Sequence, residues 1–378
     1  MTSRRAAVVT GIAWGDEGKG SVVDYLVRAH GATLVVRHNG GAQAAHRVVL
    51  PDGREHVFSQ WGSGTLAGAR TFLSEHMVVH PVAMMNEARH LIDLGVDACG
   101  LLTVSQRARV ATPYHQEMNR LREAARGDGR HGSCGMGIGE AVVDAGKPHA
   151  IRWADLADFD TLKEKLRATR DEKAAQAADL PGIEPGVAVD RVLSVNFERA
   201  LVLLHMAGRL FATERDEERV LEKHQSVVFE GAQGVLLDQD HGDQPYTTWS
   251  KCTDANALEM LRGKDFETTR IGVVRAYATR HGPGPFPTYD AEMTKRLPDK
   301  ANGFNEWQRE FRCGQFDPVA TMRAIKINGR VDYVALTNVD RLYEEEDYAR
   351  AAKTVEGMID ERVGLVSYGP THLDKIAR

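Results

Sequence analysis

A glycine-rich turn close to the start of the chain carries two carboxylates and a lysine. Its residues are, in order, Gly15, Asp16, Glu17, Gly18, Lys19, Gly20 and Ser21. Glycines let backbone N–H groups approach a phosphate, and the N-terminus of a following helix adds partial positive charge. A phosphate cradle alone needs no acids, whereas a magnesium ion or a proton-accepting step does. The turn therefore predicts phosphate binding combined with metal binding or acid–base chemistry; the alternative is a turn with solvated charges.

The elements on either side of this turn must hold it in place. An apolar run at 6–9 predicts a buried strand before it, and 22–27 predicts a helix after it. A second apolar strand, 33–37, leads into Gly-Gly and then His46. Loops at the carboxyl ends of parallel strands bind ligands in α/β proteins. His46 is therefore a candidate acid–base group, with an ordinary loop histidine as the equal alternative.

Composition limits the class of protein. The 378 residues suffice for one large α/β unit or two ordinary domains, and the 27% charged and 42% hydrophobic residues are typical of globular proteins. A net charge of −5 argues against a nucleic-acid partner. The four cysteines are far apart, which suits a reducing compartment and predicts no zinc site. With no membrane-spanning apolar run and no signal-peptide pattern, we expect a cytoplasmic protein without a membrane partner.

Further patterns outline the rest of the chain. Residues 48–59 predict a hairpin, and 82–95 predict an amphipathic helix. Four glycines between 131 and 139 indicate tight turns or a ligand loop. Residues 155–225 predict a helical segment inserted in the sheet and interrupted at Pro181-Gly182 and Pro185-Gly186.

The turn at 14–20, Trp-Gly-Asp-Glu-Gly-Lys-Gly, resembles the signature of the adenylosuccinate synthetase family. The later stretches that resemble the same family, in the same order, are 131–139, 230–242, 276–288, 333–340 and 367–370. The resemblance implies an α/β fold with a large, predominantly parallel sheet flanked by helices, related to P-loop folds and carrying a helical insertion. It also implies a single catalytic domain over residues 1–378.

The activity implied by the resemblance is that of a GTP-dependent carbon–nitrogen ligase. Such an enzyme joins L-aspartate to C6 of a purine monophosphate through a 6-phosphoryl intermediate, with Mg²⁺ as cofactor and GTP as co-substrate, and is a homodimer. Asp16 is expected to take the N1 proton, His46 to be the general acid, and Lys19 and Gln233 to complete the catalytic set. The carboxylate of Asp16 and the main-chain carbonyl of Ala45 are expected to hold the metal.

The resemblance also assigns the binding residues. Those expected to bind GTP are Gly15, Glu17, Gly18, Lys19, Gly20, Ser21, Asn338, Asp340, Ser367 and Gly369. Those expected to bind the purine monophosphate are Asp16, Gln43, Ser133, Cys134, Gln233, Thr248 and His281. Arg309 and Arg312 are expected to bind L-aspartate.

Several positions depart from the family's pattern. They are Ala42, Gln43, Ser59, Cys134, Met136, Pro148, Glu310 and Asn338. Pro148 stands where family dimers donate an arginine across the subunit interface, and Lys147 is the nearest possible substitute. Glu310 replaces an arginine that reaches the ribose hydroxyls and the amino-acid substrate.

The departures other than Asn338 favour dGMP over IMP as the acceptor. The chain then resembles the diverged branch that makes 2-aminoadenylosuccinate in phages with diaminopurine DNA, and would act in the host cytoplasm. Asp16 and Asp340 resemble the parent, GTP-using enzymes instead, since the best-known members of that branch have serine where Asp16 stands and use ATP. The alternatives are conversion of IMP to adenylosuccinate, an enzyme of a nucleoside-antibiotic pathway, and a non-catalytic GTP-binding paralogue.

Overall fold

The chain folds around a mostly parallel β-sheet in a computed structural model that describes residues 3–299, 302, 304 and 307–378. The strands in chain order are β1 Arg4–Gly11, β2 Leu34–Arg37, β3 His46–Val49, β4 Glu55–Phe58, β5 Arg70–Leu73, β6 Val78–Val79, β7 Leu102–Ser105, β8 Arg109–Val110, β9 Ala212–Glu214, β10 Ser226–Glu230, β11 Phe266–Arg275, β12 Ala278–His281, β13 Phe311–Gly314, β14 Tyr333–Thr337, β15 Val363–Ser367 and β16 Lys375–Ala377. The α-helices are α1 Lys19–His30, α2 Pro81–Asp93, α3 Pro113–Ala125, α4 Ile138–Val143, α5 Phe159–Ala178, α6 Pro185–Leu193, α7 Phe197–Leu210, α8 Glu217–Glu222, α9 Ala255–Leu261, α10 Ala291–Arg296, α11 Pro318–Asn328 and α12 Tyr348–Ile359.

Ten strands of the described chain form one sheet with β1 near its centre. The strand order is β16-β15-β14-β11-β1-β10-β2-β5-β7-β9. Neighbours pair in parallel, except that β16 runs antiparallel to β15. Residues 6–11 of β1 are buried on both faces, as expected for a parallel strand covered by helices. The predicted α/β fold with a large parallel sheet is confirmed.

The helix after the first turn is longer than the sequence pattern predicts. α1 begins at Lys19 and ends at His30, so the predicted segment 22–27 is extended at both ends. Gly18 has φ 88°, a left-handed conformation that favours glycine, and the chain enters the helix directly after it. Gly20 and Ser21 are weak helix formers that hide this start from a propensity argument.

The predicted helical insertion is present, with two corrections. Pro185 is the first residue of α6, so Pro185-Gly186 begins a helix instead of interrupting one; proline suits this position because its missing N–H is not needed there. β9 lies within the same segment and pairs in parallel with β7 at the sheet edge. The insertion packs on a core that includes the buried side chains of Trp61 and Trp153.

The remaining local predictions are confirmed with small shifts. β3 and β4 form the expected antiparallel hairpin, and α2 covers most of the predicted helix at 82–95. Among the described residues, no helix combines the length and apolar character needed to cross a membrane.

Candidate functional site

A cleft of about 1780 Å³ lies where the central parallel strands end. The loops that follow β1, β2, β10, β11, β14 and β15 line it, because the carboxyl ends of parallel strands meet at one edge of the sheet. The predicted site residues that line the cleft are Gly15, Asp16, Gly18, Lys19, Gly20, Ser21, Gln43, Ala45, His46, Ser133, Cys134, Gln233, Thr248, His281, Asn338, Asp340, Ser367 and Gly369. The fold thus brings together residues that are more than 350 positions apart, from Gly15 to Gly369.

Glu17 turns its carboxylate into the protein and does not line the cleft. It accepts hydrogen bonds from the Gly15 N–H at 2.8 Å and from Lys19 Nζ at 2.5 Å, and its side chain is 1% exposed. A Cβ on Gly11 or on Gly234 would lie within 2.5 Å of this carboxylate, so only glycines leave room for it. Glu17 therefore shapes the loop from inside, and a GTP contact through its carboxylate is not what this placement supports.

Gly20 brings the first turn of α1 against the loop that carries His46. A Cβ at position 20 would lie 2.9 Å from His46 Cβ and 3.1 Å from Ser63 Oγ. These distances are too short for a side chain, so the glycine permits the close approach. The start of α1 and the candidate acid–base group are consequently neighbours in the cleft.

A buried carboxylate orients His46. Glu230, the last residue of β10, accepts from His46 Nδ1 at 2.5 Å, from the Ser63 N–H at 2.9 Å and from the Ser63 hydroxyl. Burial alone would raise the pKa of Glu230, but His46 and Arg37 outweigh it and hold that pKa at about 2. Burial lowers the pKa of His46, and Glu230 opposes this effect. With Nδ1 engaged by an ionised acid, Nε2 is the ring nitrogen left to serve the cleft.

Asp16 has a left-handed main chain, with φ 60°, that is uncommon for a residue with a side chain. Arg275 Nε donates to the Asp16 carbonyl oxygen at 2.5 Å. Burial raises the pKa of the Asp16 carboxyl, while Arg275, His281 and Lys19 oppose the rise. A desolvated carboxylate beside three cationic or ionisable groups is suited to accept a proton from a bound ligand.

The residues predicted to bind the purine monophosphate form another part of the cleft. Ser133 Oγ donates to Asn119 Oδ1 at 2.9 Å, and burial raises the pKa of the Cys134 thiol to about 11. Gln233, in the loop after β10, has φ 56° and is thus left-handed like Asp16. The Oε1 atom of Gln43 is buried and has no hydrogen-bond partner among the described residues. An acceptor in this state is suited to a ligand N–H or O–H group.

The opposite part of the cleft carries the residues predicted to bind the GTP base. Asn338 follows β14 with φ 57°, and Asp340 is exposed. Partial desolvation of the Asp340 carboxyl nevertheless raises its pKa. Ser367 Oγ donates to the Gly369 carbonyl at 3.3 Å and holds the turn after β15. A carboxylate here can accept two hydrogen bonds from a base edge.

Three cationic residues singled out by sequence do not line the cleft. Arg312 Nη2 donates to the carbonyls of Gly282 at 2.6 Å and Gly284 at 3.2 Å, so its guanidinium braces that loop. Arg309 is exposed with φ 71°. Lys147 Nζ donates to Asp144 at 2.7 Å and to Glu172, so its ammonium group is already paired within this chain. The expected aspartate contacts of Arg309 and Arg312 stay predictions that this placement does not support.

The chain is similar to known proteins over most of its length. The family model described as adenylosuccinate synthetase matches residues 8–371. The adenylosuccinate synthetase of Prochlorococcus marinus strain NATL1A is 35% identical over 346 residues, which is 90% of this chain and 77% of that protein. The one from Neisseria meningitidis serogroup C is 36% identical over 346 residues, 90% of this chain and 78% of that protein.

The chain belongs to the adenylosuccinate synthetase family. It is therefore a GTP-dependent carbon–nitrogen ligase, as predicted. Fully ligated adenylosuccinate synthetase from Plasmodium falciparum has the same fold, with a TM-score of 0.83 at 21% identity, over 98% of this chain and 99% of that one. The succinoaminodeoxyadenylate synthetase of cyanophage S-2L, solved with dGMP and with dATP as an energy donor, gives 0.72 at 19% identity over 99% and 95%.

The donor chemistry of the cleft fits the magnesium ion that this family uses. The Asp16 carboxylate and the Ala45 carbonyl both line the cleft, and magnesium prefers hard oxygen ligands of these kinds. Among the described residues, the Asp16 carboxylate makes no hydrogen bond, so its oxygens are available to a ligand.

The sequence patterns do not predict two residues that contact the candidate site, Glu230 and Arg275. Glu230 was visible as the polar end of a buried strand directly before a glycine, yet nothing local pairs it with His46, 184 positions away. Arg275 ends β11 in the same manner, and its contact with Asp16 spans 259 positions. A charged residue at the carboxyl end of an apolar parallel strand is the signal that could have found both.

Proposed function

We propose that this synthetase joins L-aspartate to C6 of dGMP, forming 2-aminoadenylosuccinate (N6-succino-2-amino-dAMP), GDP and phosphate. The observation that carries the choice of acceptor is the buried, unpartnered Oε1 atom of Gln43, a residue that lines the cleft. The purine of dGMP has a 2-amino group with two N–H donors, whereas IMP has only C2–H at that position. A buried acceptor without a donor costs free energy, so an acceptor nucleotide that supplies one is favoured.

The surroundings of the sugar and phosphate support the same choice. Met136 lines the cleft where the family has an arginine, and Lys147 is committed to Asp144 and Glu172. Glu310, which replaces the family's ribose-contacting arginine, is exposed and does not line the cleft. Arginine is the side chain that best grips hydroxyls and anions in a fixed geometry. A deoxyribose, which has no 2′-hydroxyl, loses nothing when that arginine is absent.

The first chemical step follows from the residues near Asp16. The Asp16 carboxylate takes the N1 proton of the purine, so that O6 attacks the γ-phosphorus of GTP and GDP leaves. Lys19 and the N-terminus of α1 hold phosphate oxygens, and Gln233 orients the base. Magnesium held by Asp16 and the Ala45 carbonyl would supply charge stabilisation for the transferred phosphoryl group.

In the second step the neutral amine of L-aspartate attacks C6, the C6–O6 bond breaks, and O6 leaves with the phosphoryl group as inorganic phosphate, while the attacking nitrogen loses a proton to solvent. His46, oriented by Glu230, presents Nε2 to the phosphoryl group; the ionised Glu230 carboxylate stabilises the imidazolium form, which donates its Nε2 proton as charge develops on that group. GTP is the expected energy donor because Asp340 can accept from N1–H and the 2-amino group of guanine. We also propose a homodimer, in which Pro148 leaves the shared contact without its usual arginine.

A comparison of four acceptors, which differ in the 2-amino group and in the 2′-hydroxyl, tests this assignment. Purified enzyme is given dGMP, GMP, dIMP or IMP with the same GTP and L-aspartate, and phosphate release and product mass are measured. The dGMP/dIMP ratio of kcat/KM isolates the 2-amino group, and the dGMP/GMP ratio isolates the 2′-hydroxyl. We expect dGMP to exceed IMP by about tenfold or more, which corresponds to about 1.4 kcal/mol at the transition state.

Substitution of Gln43 shows whether this residue causes the preference among the four acceptors. Gln43→Leu should bring the dGMP/dIMP ratio to about one while leaving the dGMP/GMP ratio unchanged within about twofold. Gln60→Leu is the matched control, because Gln60 is also a buried amide but is bonded to both main-chain groups of His80. A tenfold preference for IMP would overturn the proposal.

IMP is the second candidate acceptor. The identity of 35–36% to enzymes named adenylosuccinate synthetase over nine-tenths of the chain favours it. A preference for IMP in the comparison of the four acceptors would establish an adenylosuccinate synthetase with an altered acceptor site.

A further inference from the structure

Arg275 is a buried cation at the end of β11 that contacts the loop of the proposed base. Its side chain is 7% exposed. Nε donates to the Asp16 carbonyl oxygen, Nη1 to the Tyr277 hydroxyl at 3.1 Å, and Nη2 to Asp299 Oδ2 at 3.0 Å. All three nitrogens of the guanidinium are therefore used, and the planar fork is fixed from three directions.

The neighbouring strand holds the next peptide group in a similar way. Thr337, the last residue of β14, donates its hydroxyl to the Glu17 carbonyl oxygen at 2.6 Å. Arg275 and Thr337 are register partners where β11 and β14 pair. Two adjacent side chains at the sheet edge thus grip two successive carbonyls, those of Asp16 and Glu17.

This grip acts on a main chain that would otherwise prefer another conformation. Asp16 has φ 60°, a conformation that residues with a Cβ adopt infrequently. The carboxylate of Glu17 is already turned inward to Lys19 and the Gly15 N–H. The left-handed turn at Asp16 therefore separates two consecutive acids, one facing the interior and one lining the cleft.

We propose that Arg275 is a positioning residue for the reaction: it fixes the main chain at Asp16 and thereby aims the Asp16 carboxylate at the purine. The proposal rests on the proposed function of Asp16 as the base. It assigns no substrate contact to Arg275 itself. We call the hydrogen bonds of Arg275 to Asp16, Tyr277 and Asp299 the clamp. Because Nη2 donates to Asp299, the clamp also joins the loop after β1 to the segment that follows α10.

The test compares two arginines of the same strand. Arg275→Ala removes the clamp. Arg270→Ala is the matched control, since Arg270 also lies on β11, pairs with Asp254 at 2.5 Å and donates to the Asn328 carbonyl at 2.6 Å, away from the cleft. We expect Arg275→Ala to lower kcat about 100-fold, with KM for GTP changed less than about threefold, because misaiming a reacting group costs rate more than binding. Arg270→Ala should lower thermal stability while keeping kcat within about threefold.

Two further readouts separate positioning from general damage. Guanidinium added to Arg275→Ala at millimolar concentration should recover about tenfold in kcat by occupying the vacated fork, and should do nothing for Arg270→Ala. Amide hydrogen exchange over residues 14–20 should become faster in Arg275→Ala without any substrate present. Arg275→Lys, which keeps the charge but not the fork, serves if the alanine variant does not fold, and should show the same faster exchange and a smaller loss of kcat.

The outcomes distinguish this proposal from the proposed function. If the wild-type enzyme ligates aspartate but Arg275 variants match Arg270→Ala in kcat and in exchange at 14–20, the positioning role is overturned. If wild type turns over none of the four acceptors while exchange at 14–20 still rises only in the Arg275 variants, the clamp stands and the proposed function fails.

Discussion

Replacing Glu230 by glutamine tests how His46 is held. The carboxylate is fully buried and accepts from His46 Nδ1 and from both polar groups of Ser63. Glutamine keeps the size but has one acceptor oxygen, and its NH₂ group faces a donor. A hydrogen bond to a charged partner contributes about 1.5–3 kcal/mol, so the loss of this bond in the transition state lowers kcat about 10- to 150-fold.

Glu87→Gln is the matched control for this substitution. Glu87 is also a buried carboxylate: it accepts from the Ser59 hydroxyl at 2.6 Å and the Gln60 N–H at 2.9 Å, and His56 Nε2 lies 3.6 Å away. It does not line the cleft. Steady-state kinetics with saturating GTP and L-aspartate should give Glu87→Gln a kcat within about threefold of wild type, even where its melting temperature falls as far as that of Glu230→Gln.

Acid titration of stability gives an independent readout of the same carboxylate. The pKa of Glu230 is about 2 in the folded protein, below its ordinary value of 4.5. A depressed folded pKa stabilises the protein above the unfolded value, and this stabilisation is lost as pH falls toward the folded value. The difference in free energy of unfolding between wild type and Glu230→Gln should therefore shrink from pH 4.5 toward pH 2. Equal kcat for Glu230→Gln and Glu87→Gln, with a pH-independent stability difference, would refute the proposed role of Glu230.

Two other substitutions test the ends of the cleft. Asp16→Asn should lower kcat by about 10²–10⁴-fold while leaving GTP affinity by calorimetry nearly unchanged, because a neutral amide keeps the shape but cannot take the N1 proton; a variant that retains a tenth of the wild-type rate contradicts the base role. Asp340→Asn should reduce the preference for GTP over ATP about tenfold, since the carboxylate that accepts from two guanine donors is replaced by an amide with one acceptor. Equal kcat/KM for GTP and ATP in the wild-type enzyme would contradict the reading of Asp340.

The sequence predicts the sheet and the loops of the cleft well, because both depend on local patterns. Apolar runs before glycine-rich or polar turns locate β1, β2, β10 and β14, and parallel pairing places the ends of these strands together. That is why predicted residues from Gly15 to Gly369 line one cleft. The same local patterns predict an interruption at Pro185-Gly186, where α6 in fact begins, since proline both ends helices and begins them.

The direction of individual side chains is not predictable from those patterns. Asp16 and Glu17 are adjacent acids in one turn, and only the positive φ at Asp16 decides which of them faces the cleft. That angle is set by Arg275, 259 positions away, and by the space that Gly11 leaves for the Glu17 carboxylate. The family resemblance predicts that Arg312 binds L-aspartate, yet its guanidinium donates to two loop carbonyls.

The two halves of the cleft differ in how firmly they are built, and this bears on how an acceptor site can change. Asp16, Glu17 and His46 are held by buried contacts from the ends of β10, β11 and β14. Under the proposed function, Asp16 and His46 carry out the proton transfer and phosphoryl transfer that every purine acceptor needs. Several residues predicted to bind the acceptor instead lie on connecting loops, and in the loop 131–139 the glycines at 132, 135 and 137 have positive φ. Substitutions in such loops alter contacts without disturbing the sheet. Under the proposed function, a change of acceptor from IMP to dGMP leaves Asp16 and His46 in place, and four of the departures that favour dGMP, Ala42, Gln43, Cys134 and Met136, line the cleft.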